Sequence, residues 1–177
     1  MKEFILKDKI KEGDKFIFLD FDGVITTPFT DWKLSNHHIG IIRHILETTR
    51  SKIIISSSWR RTNIKNTIEF LSTIGYYVPF KFPLIGSVVA QISGYDIYEV
   101  NSSRGDCIQK IIDYLDIPKE NYIIIDDNND LLITQQDRFV QTNFLTGITI
   151  QDAVKCVQLL TGNNLYNIDN ISASYIA

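Results

Sequence analysis

The chain is short of the features that would mark it as secreted, fibrous or membrane-bound. Its 177 residues include two cysteines, four prolines and one methionine. Cys107 and Cys156 are far apart, form no CxxC pair and fall in helical patterns. They carry no redox or zinc signature and are expected as reduced core residues in a reducing compartment. No apolar run approaches the length of a membrane span. The opening segment, Met1 to Asp8, is charged and lacks the apolar core of a signal peptide, so a soluble, cytoplasmic protein is expected. Net charge is −3, which gives no global basic footprint and does not imply nonspecific adhesion to nucleic acid or anionic membrane. No internal repeat is present. One domain is expected over residues 1–160, followed by a tail at 161–177 that is rich in Asn and Ser and is either loosely ordered or a short appendage.

What the chain does have is concentrated in one stretch, Phe16-Ile17-Phe18-Leu19-Asp20-Phe21-Asp22-Gly23. An apolar run ends in two carboxylates spaced i, i+2, then a glycine that tolerates a sharp turn. In a strand, residues two apart share a face, so Asp20 and Asp22 would emerge side by side. Carboxylates this close repel unless a cation lies between them or one holds a proton. The pattern points to a hard, oxygen-seeking metal such as Mg²⁺, with acid–base work divided between the pair. The plainer alternative is a strand ending in ordinary turn residues.

Further strands are expected at Lys52–Ser56, Asn121–Asp126 and Phe139–Gln141. Helical spacing is found at His38–Thr48, with Ser35 or Asn36 as cap, at Ile64–Ile74 with Gly75 as stop, at Arg104–Leu115 and at Ile150–Leu160. Between 76 and 103, prolines and glycines punctuate two β-prone pieces, Ser87–Ile92 and Tyr95–Val100. Strands alternating with helices indicate an α/β fold with a parallel sheet, which binds ligands at strand carboxyl ends. Three strands end in chemically capable residues: Asp20/Asp22, Ser56-Ser57-Ser58, and Asp126-Asp127.

With those pieces in order, the sequence resembles the haloacid dehalogenase (HAD) superfamily of phosphohydrolases. The match rests on Asp20-Phe21-Asp22-Gly23-Val24, Ile55-Ser56-Ser57-Ser58, Arg104 opening a helix, and Ile125-Asp126-Asp127-Asn128-Asn129-Asp130. Within it, Ser56-Ser57-Ser58-Trp59-Arg60, Arg104-Gly105 and the Asp-Asp stretch look like the HAD domains of Swiss Army Knife RNA-repair proteins. The resemblance implies a Rossmann-like, doubly wound sheet. It also implies a phosphomonoesterase in which Asp20 is the nucleophile and forms an aspartyl-phosphate. Asp22 would protonate the leaving oxygen and then activate water. Mg²⁺ would be held by Asp20, Asp127 and the backbone carbonyl of Asp22, with Asp126 and Asp130 as further candidates.

Ser56 would bind a phosphate oxygen with help from the Ser57 amide, and Gly23 would line the same turn. Arg104 stands where the family usually has lysine and would offset negative charge, the alternative being a surface salt bridge; Lys110 is a weaker candidate. Trp59 and Arg60 could stack a base and hold a neighbouring phosphate, or Trp59 could be a lid over the core. The three histidines are read as structural. Only 33 residues separate Asp22 from Ser56, leaving room for a flap but no folded cap. An open, capless or minimally capped site favours a nucleic-acid terminal phosphate as substrate, an RNA or DNA end. Alternatives are a nucleotidase, a small-molecule or phosphoprotein phosphatase, and a noncatalytic phosphate- or Mg²⁺-binding regulatory domain.

Overall fold

Four short β-branched and aromatic runs form the centre of the protein. A computed structural model describes residues 10–59, 63–75 and 103–171. The strands are β1 (Phe16–Leu19), β2 (Lys52–Ile55), β3 (Tyr122–Asp126) and β4 (Phe139–Gln141). They pair in the order β2-β1-β3-β4, every pair parallel. The helices are α1 (Asn36–Thr49), α2 (Ile64–Ile74), α3 (Arg104–Leu115) and α4 (Ile150–Thr161).

Side-chain alternation assigns each strand residue to a layer. Ile17, Leu19, Ile53, Ile55, Ile123 and Ile125 pack with residues of α1, α2 and α4. Phe16, Phe18, Ile54, Tyr122 and Ile124 face the other way, against Ile108, Ile111, Ile112 and Leu115 of α3. Both faces of the sheet are thus covered by helices, which explains why the strands read as continuous apolar runs. Truncating a fully enclosed residue such as Ile124 to alanine would cost about 2–5 kcal/mol.

The chain runs from β1 to β2 on one side, whereas β3 lies on the other side of β1. Strand order therefore reverses between β1 and β3, and a crevice opens at their carboxyl ends. Leu19 is in register with Ile125, and Asp20 N–H still donates to the Ile125 carbonyl (3.0 Å). This register sets the end of β1 against the acids at the end of β3.

Element boundaries move by a residue or two from expectation. β1, expected over residues 16–20, and β2 each stop one residue early, because Asp20 and Ser56 make one last strand-like bond and the chain then turns. Ser35 is the cap of α1, accepting from His38 N–H (3.4 Å). Between Gly23 and Ser35 the chain forms a flap with a single 3-10 turn, Pro28–Thr30. The β-prone pieces at 87–92 and 95–100 lie outside the described residues, as does Arg60. After Gly162, the tail through residue 171 packs back, and buried Tyr166 shares a hydrogen bond with His44 of α1. His38 donates from Nδ1 to the Ile25 carbonyl (3.3 Å), and burial lowers the pKa of both His38 and His44, as expected of structural residues. Cys107 and Cys156 are both buried. Among the described residues, no helix is long and apolar enough to cross a membrane.

Candidate active site

After Asp20 the backbone winds tightly around one carbonyl. The amides of Val24, Ile25 and Thr26 all donate to the Phe21 oxygen (2.9–3.0 Å), and Gly23 N–H donates to Thr26 (2.8 Å). Phe21 anchors this knot in the core, meeting Trp59 and Phe70 edge-on with ring centroids 5.1 Å apart. Gly23 is required twice over. Its φ is +73°, and a Cβ there would lie 2.6 Å from Cγ of Asp127. The Gly23 carbonyl also accepts from Thr142 Oγ1 (2.7 Å), tying the knot to the end of β4.

This turn corrects the expected pairing of Asp20 with Asp22 on one strand face. The strand ends before Asp20, and Asp22 lies beyond it in the turn. The Asp22 carboxylate accepts from Trp59 Nε1 (2.9 and 3.0 Å) and from Thr26 Oγ1 (2.9 Å), both neutral donors. Asp20 finds its acidic neighbours across the sheet instead. One carboxylate oxygen from each of Asp20, Asp126 and Asp127 lies within 4.8 Å of the others. Asp20 is buried, Asp126 fully so, and Asp127 is half-buried.

Arg104 closes the cluster from below. Its guanidinium bonds Asp20 Oδ2 (2.6 Å) and also Asp126. Ser103 caps α3 in a reciprocal arrangement with Asp106. Asp130 accepts from Arg104 N–H (3.1 Å) through its carboxylate and from Gly105 N–H (2.9 Å) through its carbonyl. Asp130 thus holds the start of α3 and is not part of the acid cluster. Gly105 permits this contact, since a Cβ would come 2.5 Å from the Leu132 nitrogen. Lys110 is exposed further along α3, and Arg104 occupies the cationic position.

The charges are unevenly compensated. Burial, then the charge of Asp20, pushes the Asp126 carboxyl up to about 7 despite Arg104. Asp127 is raised for the same two reasons. Burial works against the charge on Arg104, but Asp20 and Asp126 outweigh it and raise its pKa. Among the described residues, three carboxyls face a single guanidinium, so the cluster carries more acid than cation, all on hard oxygen donors. A divalent cation of the Mg²⁺ type fits that donor set and that deficit.

The remaining predicted residues fall nearby with different emphases. Ser56 is buried at the end of β2, its N–H donating to the Leu19 carbonyl (3.0 Å), one strand from Asp20. The hydroxyl of Ser57 accepts from Trp59 N–H (3.2 Å), the behaviour of a turn-forming serine. Trp59 is only 6% exposed, with its ring packed on Phe21 and its N–H held by Asp22, which fits the alternative reading of a lid over the core. Sequence reasoning missed that bond, which spans 37 positions and has no local signal, and also missed Thr26, four residues after Asp22. It missed as well an open depression of about 520 Å³ lined by Asp22, Trp32, Trp59, Asn63 and Phe144.

A parallel α/β sheet with acids gathered where its strand order reverses defines a HAD-like domain. The family model described as the HAD domain in Swiss Army Knife RNA repair proteins matches residues 16–153. The chain belongs to that family. Membership indicates a hydrolase of the phosphatase type, and HAD domains generally use Mg²⁺, in keeping with the buried acid cluster. No curated protein and no solved structure matches the chain.

Proposed function

We propose that the protein is a Mg²⁺-dependent phosphomonoesterase that works through an aspartyl-phosphate on Asp20, with a nucleic-acid terminal phosphate as substrate. The observation that carries this reading is the contrast in the site: Asp20 clustered with Asp126, Asp127 and Arg104, and Asp22 held apart by neutral donors. A pure phosphate-binding domain has no need of that separate carboxyl.

Arg104 holds Oδ2 of Asp20 and so orients the carboxylate with its other oxygen available for attack. That oxygen forms a bond to phosphorus as the ester P–O bond breaks, and Asp22 gives its proton to the departing alkoxide. Asp22, now ionised, takes a proton from water, the water oxygen bonds phosphorus, and the Asp20–phosphorus bond breaks to release inorganic phosphate. Trp59 and Thr26 keep the Asp22 carboxyl aimed through both steps. Ser56 and the Ser57 amide bind nonbridging phosphate oxygens at the end of β2. Asp20 and Asp127, with Asp126 behind them and the Asp22 carbonyl alongside, would hold Mg²⁺, which when bound offsets charge on the transferring phosphoryl group.

Hydrolysis of a generic aryl phosphate with Mg²⁺, abolished in Asp20→Asn, tests the chemistry. A panel of 3′- and 5′-phosphorylated RNA and DNA oligomers against mononucleotides and phosphopeptides tests the substrate. Faster cleavage of mononucleotides than of every oligomer would overturn the nucleic-acid assignment.

A further inference from the structure

The tryptophan that is open to a ligand is Trp32. It stands on the flap after β1, is 42% exposed, and meets Phe144 of the loop after β4, itself 46% exposed. The two ring centroids are 5.3 Å apart with the planes tilted by 55°. Asp31 and Trp32 are held at φ +50° and +59°, a region that aspartate tolerates and that a bulky tryptophan rarely adopts. The flap bonds keep them there: Trp32 N–H donates to the Thr27 carbonyl (3.1 Å), and Asp31 N–H to the Pro28 carbonyl (3.2 Å). Strain of this kind collects at ligand clamps and switch regions.

The pair opens onto the same depression as Asp22. On the reading proposed above, on which this inference rests, Asp22 faces the leaving oxygen, so the depression receives the leaving group and not the phosphoryl group. Its volume, about 520 Å³, lies within the range of small-ligand pockets. Its lining is the exposed Trp32 and Phe144 together with Trp59, Asn63 and the acidic Asp22, with no cation among the described lining residues. That chemistry suits a flat heteroaromatic group bearing hydrogen-bonding edges better than a sugar, a lipid or a second phosphate. We propose that Trp32 and Phe144 form a stacking platform for the nucleobase of the nucleotide that carries the scissile phosphate, with Asn63 at the edge of the base.

The test compares phosphorylated oligonucleotides whose terminal nucleotide is natural with identical ones whose terminal nucleotide is abasic. Natural ends are expected to be favoured on the order of tenfold or more in kcat/KM, chiefly through KM, because base–aromatic stacking is worth that much. Trp32→Ala and Phe144→Ala are expected to collapse the ratio towards one, as are Trp32→Leu and Phe144→Leu, which keep apolar bulk. The proposal is overturned if wild-type protein shows no preference for the base, or if the substitutions slow natural and abasic ends equally. It also falls if a phosphotyrosine peptide outcompetes every nucleotide and depends on the same two rings. Binding of both oligonucleotides to Asp20→Asn with Mg²⁺, read by fluorescence anisotropy, separates the two levels. If no phosphomonoester is hydrolysed, the proposed function fails, and the natural-to-abasic binding ratio still decides the platform.

Discussion

The acid turns after β1 and after β3 look alike in composition and are built for opposite purposes. At the end of β3, Asp126 is fully buried, bonded to Arg104 and to the Asn128 amide, and raised in pKa by burial and by Asp20. After β1, Asp22 lines an open depression and, among the described residues, accepts from an indole N–H and a hydroxyl. Burial and the charge of Asp20 work against ionisation of Asp126, and Arg104 works for it, as a bound cation would. On the proposed mechanism, Asp22 gains and loses a proton between these neutral donors. Asp20, between them, belongs to the β1 turn by sequence and to the β3 cluster by contact.

Five experiments would break or sharpen this contrast. Asp20→Asn removes the group shared by both turns, and activity should fall on the order of 10⁴-fold or more while circular dichroism stays native. Asp22→Asn, confined to the β1 turn, should cost on the order of 10³-fold. Its penalty should be larger for alkyl phosphates than for nitrophenyl phosphate, whose leaving group needs no proton. Equal penalties would remove the proton-transfer role.

Arg104→Met strikes the β3 side, leaving buried carboxylates without their cation. A loss of about 3 kcal/mol in denaturant-measured stability is expected, with Mg²⁺ raising Tm more in this variant than in the wild type. Trp59→Phe keeps the core lid but deletes the indole N–H on Asp22. Activity should drop on the order of tenfold, with stability changed far less than by Arg104→Met.

The smallest effect is a pH dependence. Burial and the charge of Asp20 push the Asp126 carboxyl up to about 7, above the ordinary aspartate value of about 3.9. Between those values the folded state keeps a proton that the unfolded state releases, so this group's contribution to stability is lost as pH rises towards 7. His38 and His44, whose pKa values burial lowers, act in the opposite direction. The comparison is therefore between wild type and Asp126→Asn, by Tm from pH 5 to 8 without metal. The wild type should lose stability relative to the variant as pH rises, and Mg²⁺ should reverse that trend. Parallel profiles would show that Asp126 stays ionised throughout.

Much of this architecture is written locally. The runs at Phe16, Lys52, Tyr122 and Phe139 are apolar and β-branched, and α3 begins and ends at Arg104 and Leu115 as its spacing predicts. Ser35, Gly75 and Gly23 announce their roles because caps and left-handed turns depend on a residue and its immediate neighbours. The strand-end acids and serines were legible for the same reason, and their order along the chain pointed to the family. The meeting of Asp20 with Asp126 and Asp127 was legible only through the family resemblance, and the other partners were not legible. That Asp20 meets Asp126 and not Asp22 follows from the β1–β3 register, which is set by which apolar faces bury together. That Asp22 is held by Trp59, and that Trp32 rather than Trp59 stays open beside Phe144, depends on packing between segments tens of residues apart. Local propensity chooses helices, strands and turns; contacts across such distances exist only once the sheet has assembled and its two faces are covered.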